Sequence, residues 1–341
     1  MSALLRPLSR AYAAGVAFRL ALYRRRLFRV RDAGRPVISV GNIAAGGTGK
    51  TPFVLWLAGE LVSRGLAPAI LTRGYGRTGR GTVVVSDGAG ARVPVDASGD
   101  EAAVLARALP GVPVVADGNR SRGAARALAL RPATSVFLLD DGFSHVGLAR
   151  NVDVVLLDAT APDAGGALLP EGRLREPLSS LARADLIVVT KSEQANPSAA
   201  ASLAARYAPG VPVYRAETEV TGIVDARGTP VRRLDLPGPT LAAVAGLARP
   251  DAFFATLRSL GIEPAAEIAF PDHAPYGPEQ LGRISREAAA AGATAVVTTD
   301  KDSVKLEGRC PLPLYRVSIR MKVADASFLP DLLGRLSRPP N

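Results

Sequence analysis

From residue 36 onward, short β-branched and apolar runs alternate with stretches whose apolar positions recur every three or four residues. The runs at 36–41, 67–72, 82–85, 112–115, 135–139, 152–157 and 186–190 are expected to be strands. Several are apolar throughout, the pattern of parallel strands covered on both faces. Helical periodicity at 51–64, 100–108 and 120–130 completes βαβ units between them. The expected fold is α/β, with a doubly wound, mostly parallel sheet over 36–211. Beyond it, PVYRAETEV (212–220) resembles PLYRVSIRM (313–321), which predicts a two-stranded linker over 212–225 and 313–323. Residues 226–312, enclosed by it, predict a smaller α/β unit, with strands at 241–245 and 294–299 and helices at 250–260 and 278–291. Residues 324–341 predict a helix near 325–336 that packs back on the first unit.

The first 35 residues follow a different pattern. At 100° per residue Leu4, Leu5, Leu8, Tyr12, Val16 and Tyr23 share one side of a helix, and Arg6, Arg10, Arg24 and Arg25 the other. Arg19 falls on the apolar side and breaks the separation. The apolar stretch between Arg10 and Arg24 is thirteen residues long and interrupted, too short to span a bilayer. Its heavier arginine cluster follows it, the reverse of a signal peptide. Two readings stand: a helix lying among anionic headgroups through residues 1–30, or an amphipathic helix docked on its own domain.

Composition narrows the function classes. The 341 residues are 48% hydrophobic and 21% charged, which excludes a disordered chain. One cysteine, Cys310, excludes a disulfide framework or a multi-cysteine metal site. The net charge of +11 is local, because nine arginines and one acid fall within 1–35. With 5% aromatics and no base-reading motif, no nucleic-acid partner is expected, and nothing implies an obligate protein partner.

The strongest chemical signal is PVISVGNIAAGGTGKTP, residues 36–52, where a strand meets a glycine-rich turn and then a helix. Residues Ala44, Ala45, Gly46, Gly47, Thr48, Gly49, Lys50 and Thr51 can curl so that successive N–H groups face a phosphate. Lys50 would reach the β- and γ-phosphates, and the Thr51 hydroxyl would hold Mg²⁺. Ala44 stands where the usual pattern has its first glycine. Such a loop needs an acid at a neighbouring strand end to anchor the metal. SVFLLDDG offers Asp140 and Asp141, with Asp158 as a rival. A phosphotransferase also needs a base and cations around the moving group. The candidate bases are His273 in FPDHAPY, Asp100 and Glu101 in SGDEAAVLA, and less readily His145. The candidate cations are Arg120, Arg173 and Arg175. Spacing alone does not choose among them.

These stretches, with LTRGYGR (71–77), LPEGRLREP (169–177) and TTDKDSVKL (298–306), resemble the tetraacyldisaccharide 4′-kinases of lipid A biosynthesis from residue 36 to about 306. The resemblance implies an ATP- and Mg²⁺-dependent kinase. It would phosphorylate the 4′-hydroxyl of a membrane lipid, a tetraacylated glucosamine disaccharide 1-phosphate, at the cytoplasmic face of the bacterial inner membrane. It implies that Asp100 activates the hydroxyl together with His273. Asp140, Asp141 and Glu176 would lie near Mg²⁺, and Arg120 and Arg175 near the transferring phosphate. Ser144, Val146-Gly147, Ala102 and Asp300 depart from the family's usual residues. The rival is a P-loop switch NTPase acting on a membrane-associated partner. Its guanine-reading signature is approached only by Thr190-Lys191-Ser192-Glu193.

Overall fold

The computed structural model describes residues 2–232 and 240–340. The strands are β1 (Val37–Gly41), β2 (Pro68–Thr72), β3 (Val83–Asp87), β4 (Pro113–Ala116), β5 (Val136–Asp140), β6 (Val152–Asp158), β7 (Leu186–Thr190), β8 (Val213–Asp225), β9 (Pro230–Val231), β10 (Leu241–Gly246), β11 (Ala266–Phe270), β12 (Ala295–Thr299) and β13 (Leu314–Val323). The helices are α1 (Ser2–Arg24), α2 (Lys50–Ser63), α3 (Val95–Ser98), α4 (Asp100–Ala108), α5 (Arg120–Leu130), α6 (Ser198–Tyr207), α7 (Pro250–Ser259), α8 (Pro278–Ala290), α9 (Asp300–Leu306) and α10 (Phe328–Leu336). The strands form one continuous sheet in the order β11-β10-β12-β13-β8-β7-β6-β1-β5-β2-β4-β3, with β9 on β8.

Both faces of the sheet are covered, which is why its strands read as unbroken apolar runs. On β5, Val136 and Leu138 point into a core built by Phe53, Leu57 and Leu61 of α2, Leu105 of α4 and Phe328 of α10. Phe137 and Leu139 point to the other side, against Ala124 and Ala127 of α5. The smaller unit repeats the arrangement: Ala243 and Val297 meet Phe253 and Leu257, while Val244 and Val296 meet Ile284 and Leu306.

The two regions are joined through β8. Its start pairs in parallel with β7 (Ile187↔Val213), and from Ala216 to Asp225 it pairs antiparallel with β13. The register of that ribbon shifts between Ser318 and Ile319, opposite Gly222 at φ 141°. The similar sequences at 212–220 and 313–321 therefore do form neighbouring strands. Helix α10 returns to the first region: Phe328 packs edge-on against Phe53 and Tyr214, and Tyr214 Oη donates to Asp331 Oδ2 at 2.7 Å.

Three features differ from the sequence expectation. Strand β3 runs antiparallel to β4 at the sheet edge, where no crossover helix fixes its direction. Strand β11 escapes the apolar-run criterion because Glu267 faces solvent on an edge. Helix α9 has only seven residues, too few for a periodic signal.

Helix α1 lies on its own protein. Ser9 Oγ donates to Leu168 O at 2.9 Å, Tyr12 Oη to Arg175 O at 3.0 Å, and Arg19 Nη1 to Ser144 O at 2.9 Å, while Val16 is buried. Arg19 thus belongs to the docked face, and its place among apolar positions has a structural cause. Leu8 and Phe18 of the helix, and Leu27 and Phe28 in the chain after it, are exposed. The side chain of Leu4 lies outside the described residues.

Candidate active site

The turn after β1 sits at the centre of the parallel sheet, where β1 is flanked by β5 and β6. Ligands of open α/β sheets bind beyond the carboxyl ends of such strands. Gly49 precedes α2 in the left-handed region at φ 81°, a conformation that turns the chain into the helix without a side-chain cap. Thr190 Oγ1 donates to Thr48 O at 2.9 Å, and Asn42 Nδ2 donates to Thr48 Oγ1 at 2.8 Å, so the turn is held from both sides. The GRLREP segment pairs alongside it: Ala45 N donates to Arg173 O and Arg175 N to Ile43 O, both at 2.7 Å. A Cβ at Gly46 would lie 2.6 Å from Arg173 Nη2, so the tight glycine there makes room for an arginine. Thr51 lies in the first turn of α2.

Lys50 Nζ is 3.2 Å from Asn42 Oδ1 and 3.5 Å from Asp141 Oδ1. Arg175 forks onto Asp141 at 2.7 and 2.8 Å and also reaches Asn42. Burial opposes ionisation of Asp141, but Arg175, Lys50 and Arg120 outweigh it and hold this carboxyl far below its usual range. Its backbone sits at φ 53°, unusual for a residue with a side chain. Arg120, buried at the start of α5, donates to Asp117 O at 2.7 Å. Burial lowers its pKa to about 10, against the pull of Asp140 and Asp141, and it stays charged at neutral pH.

Asp140 differs from its neighbour. It is buried, Oδ2 accepts from Thr72 Oγ1 at 3.1 Å, and Oδ1 has no hydrogen-bond partner. Burial first, then Glu101 and Asp141, raise its pKa to about 7. A buried carboxylate with an unpartnered oxygen beside other acids is a place for a cation, so Asp140 fits the expected Mg²⁺. Glu176 is buried close enough to Arg175 to act on its charge. Its oxygens are engaged by Ser144 Oγ at 2.7 Å and by Arg183, and both Glu176 and Asp141 serve ion pairs with arginine. Asp158 is tied to Lys191 at 2.5 Å and drops out as the rival anchor. The same contact, with that of Thr190 to the turn, gives the TKSE run a structural role.

On the acceptor side, Asp100 opens α4 after Gly99 at φ 86°, and His273 follows β11 in the left-handed region at φ 62°. His273 Nδ1 lies 3.0 Å from Asp100 Oδ2. The sequence reading missed Lys305. This buried lysine of α9 lies 2.6 Å from the same Oδ2 and donates to Ala274 O at 2.8 Å. Burial works to raise the Asp100 pKa, but the bonds from His273 and Lys305 prevail and lower it. A lysine on the inward side of a short helix was the available signal. Asn42 was also missed, and a polar residue closing an apolar strand was its signal. His145, surrounded by Arg120, Arg150, Arg19 and Arg73 and desolvated, has a pKa lowered to about 4 and contacts neither Asp100 nor Lys50 among the described residues.

A phosphate-binding turn at a parallel sheet's centre, with an acid–imidazole couple and converging arginines, defines a P-loop phosphotransferase. Over residues 1–337 the sequence matches the family Tetraacyldisaccharide-1-P 4′-kinase. It is 44% identical to the Tetraacyldisaccharide 4′-kinase of Anaeromyxobacter dehalogenans strain 2CP-C over 87% of this chain and 79% of that protein. With the enzyme of that name from Pelobacter propionicus it shares 38% over 98% and 92%. The crystal structure of LpxK from Aquifex aeolicus, its apo form in complex with ATP, superposes with a TM-score of 0.81 at 32% identity over 99% of both chains. The chain belongs to the tetraacyldisaccharide-1-P 4′-kinase family and is an ATP-dependent kinase. The switch-NTPase reading is not favoured.

Proposed function

We propose that this kinase moves the γ-phosphate of ATP to the 4′-hydroxyl of a tetraacylated glucosamine disaccharide 1-phosphate, giving the 1,4′-bisphosphate lipid IVA. The contact of His273 with Asp100 at 3.0 Å carries this reading, because it couples a loop of the smaller unit to an acid in the nucleotide-binding unit. Asp100 accepts the hydroxyl proton. With His273 and Lys305 converging on Oδ2, its Oδ1 is the oxygen directed to the acceptor. His273 holds the carboxylate in place and spreads the proton's charge. Lys50, Arg120 and Arg175 surround the moving phosphoryl group, and the N–H groups of residues 44–51 hold the triphosphate. In that state Arg175 trades part of its contact with Asp141 for phosphate. Asp140 and the Thr51 hydroxyl would hold Mg²⁺, which when bound offsets phosphate charge.

The units 36–211 and 226–312 act as two jaws on the linker 212–225 and 313–323, and closure brings His273 to Asp100. The lipid substrate sets the location, the cytoplasmic face of the inner membrane. No described helix is long and apolar enough to cross a membrane. Exposed positions of α1 and of the chain after it instead offer Leu8, Phe18, Leu27 and Phe28 among Arg10, Arg24, Arg25, Arg26 and Arg29. That mixture suits an anionic lipid surface.

Incubation with ATP and the disaccharide 1-phosphate tests the reading by mass spectrometry. The product should gain one phosphate, and Asp100→Ala should bind ATP normally while losing about 100-fold or more in kcat. A variant that turns over at the wild-type rate would remove Asp100 from the role of base.

A further inference from the structure

Of the TTDKDSVKL run (298–306), the steps above use Lys305 alone. Yet α9 and the chain after it turn three cations, spaced i, i+4 and i+8, toward the loop of His273. Lys301 Nζ lies 2.5 Å from Asp272 Oδ1, Lys305 Nζ donates to Ala274 O at 2.8 Å, and Arg309 Nη2 donates to Tyr276 O at 2.7 Å. The helix that begins this row is itself fixed. Buried Asp302 accepts from Gly246 N at 2.9 Å and from Thr299 Oγ1 at 2.8 Å. The loop is therefore gripped at 272, 274 and 276, on both sides of the imidazole.

Lys301 has a second contact. Its Nζ also lies 3.4 Å from His273 Nε2, whereas Asp100 meets the ring at Nδ1, 3.0 Å away. An ammonium has three donors and no lone pair, so the nitrogen facing it offers its own. Nε2 is then unprotonated, and Nδ1 carries the hydrogen that is donated to Asp100 Oδ2. The carboxylates around the ring pull the opposite way. Asp100 stands at Nδ1 and Asp272 Oδ2 is 3.9 Å from Nε2, and two flanking acids favour a second proton on an imidazole. Lys305 answers Asp100 at 2.6 Å, and Tyr75 adds only a ring edge, with centroids 5.4 Å apart. Lys301 is the cation set at the nitrogen where that second proton would go.

We infer that Lys301 is a positioning residue that keeps His273 a neutral Nδ1–H donor, leaving Asp100 as the acceptor of the hydroxyl proton. An imidazolium at this distance would put a full charge beside the carboxylate, on top of that of Lys305, and weaken Asp100 as a base. A neutral ring orients the carboxylate without that cost. The proton leaves the acceptor oxygen and Asp100 Oδ1 gains it, and none passes to the ring. The inference rests on the proposed role of Asp100.

NMR of the imidazole nitrogens tests this on the full-length protein without lipid. The chain has two histidines, His145 and His273, and the spectrum of His273→Asn assigns them. At neutral pH wild-type His273 should show the neutral Nδ1–H pattern. An Nε2–H or imidazolium pattern would overturn the inference and leave the kinase reading intact. Lys301→Met should turn the ring toward imidazolium at the same pH, and Lys301→Arg should keep it neutral. Unchanged thermal melting checks that both variants fold. Turnover of the disaccharide 1-phosphate supplies the second arm. Lys301→Met should lose about tenfold in kcat at neutral pH, with the KM for ATP within about twofold. About two pH units higher, where the ring sheds its extra proton, the loss should vanish. A loss that is equal at both pH values, or no loss at either, would overturn the inference. If the wild type phosphorylates no lipid, the functional reading falls alone, and the NMR arm still decides the tautomer.

Discussion

Lys305 sets Asp100 apart from the other candidate bases. Its ammonium sits 2.6 Å from Asp100 Oδ2 and is fixed to the loop of His273 through Ala274 O. It therefore both depresses the carboxyl's pKa and sets its rotamer. Loss of this cation lets the Asp100 pKa climb, and a base that must be ionised then fails sooner as pH falls. Lys305→Met should shift the acidic limb of the kcat/KM profile upward by about one pH unit. Lys305→Arg should restore part of the shift, and a pH–rate series on the three proteins reads both. At this scale the sequence was informative where chemistry demands a particular residue type. Lys50, Thr51 and the paired acids after β5 could be named from the turn alone. The pairing of Asp100 with His273 came only from resemblance, because 173 positions separate them and no periodicity links them. The partners of Glu176 were hidden for the same reason: Arg183 and Ser144 look like ordinary surface residues in one dimension.

Among elements, α1 was the hardest to read, since one amphipathic pattern fits both a docked helix and a lipid-facing one. The structure separates the two residue by residue. Ser9, Tyr12, Val16 and Arg19 are spent on the protein, and Leu8 and Phe18 are left outside. Tyr12 bonds the carbonyl of Arg175, so this helix also braces the arginine beside the phosphate turn. Removal of residues 1–30 should abolish sedimentation with anionic vesicles. It should also lower kcat on a detergent-dispersed acceptor by about tenfold through Arg175, while Leu8→Ser/Phe18→Ser should affect vesicle binding alone. Vesicle sedimentation beside a soluble-acceptor assay distinguishes the two losses. The buried strands were legible for the opposite reason. Where both faces are covered an apolar run has one meaning, whereas β11 at the edge mixes polar positions into its run and loses it.

For the molecule as a whole, the recurring theme is that parts distant in sequence meet at one strand pair. The α4–α9 contact sets Arg107 Nη2 on Ser303 Oγ at 2.7 Å, and Met321 of β13 touches the phosphate turn, lying 3.1 Å from where a Cβ of Gly49 would be. A shift of the smaller unit would therefore reach both Asp100 and the phosphate turn.

The path of β8 and β13 has one more consequence. The backbone leaves for the smaller unit and comes home on adjacent antiparallel strands, so to the rest of the chain those eighty-odd residues amount to an oversized hairpin tip. Swapping 226–312 for a four-residue turn should leave a stub that still folds and retains ATP in equilibrium dialysis, yet produces no phosphorylated lipid. Joined in this way, the imidazole-bearing module hangs on the host by two neighbouring strands and meets it again where α9 rests on α4.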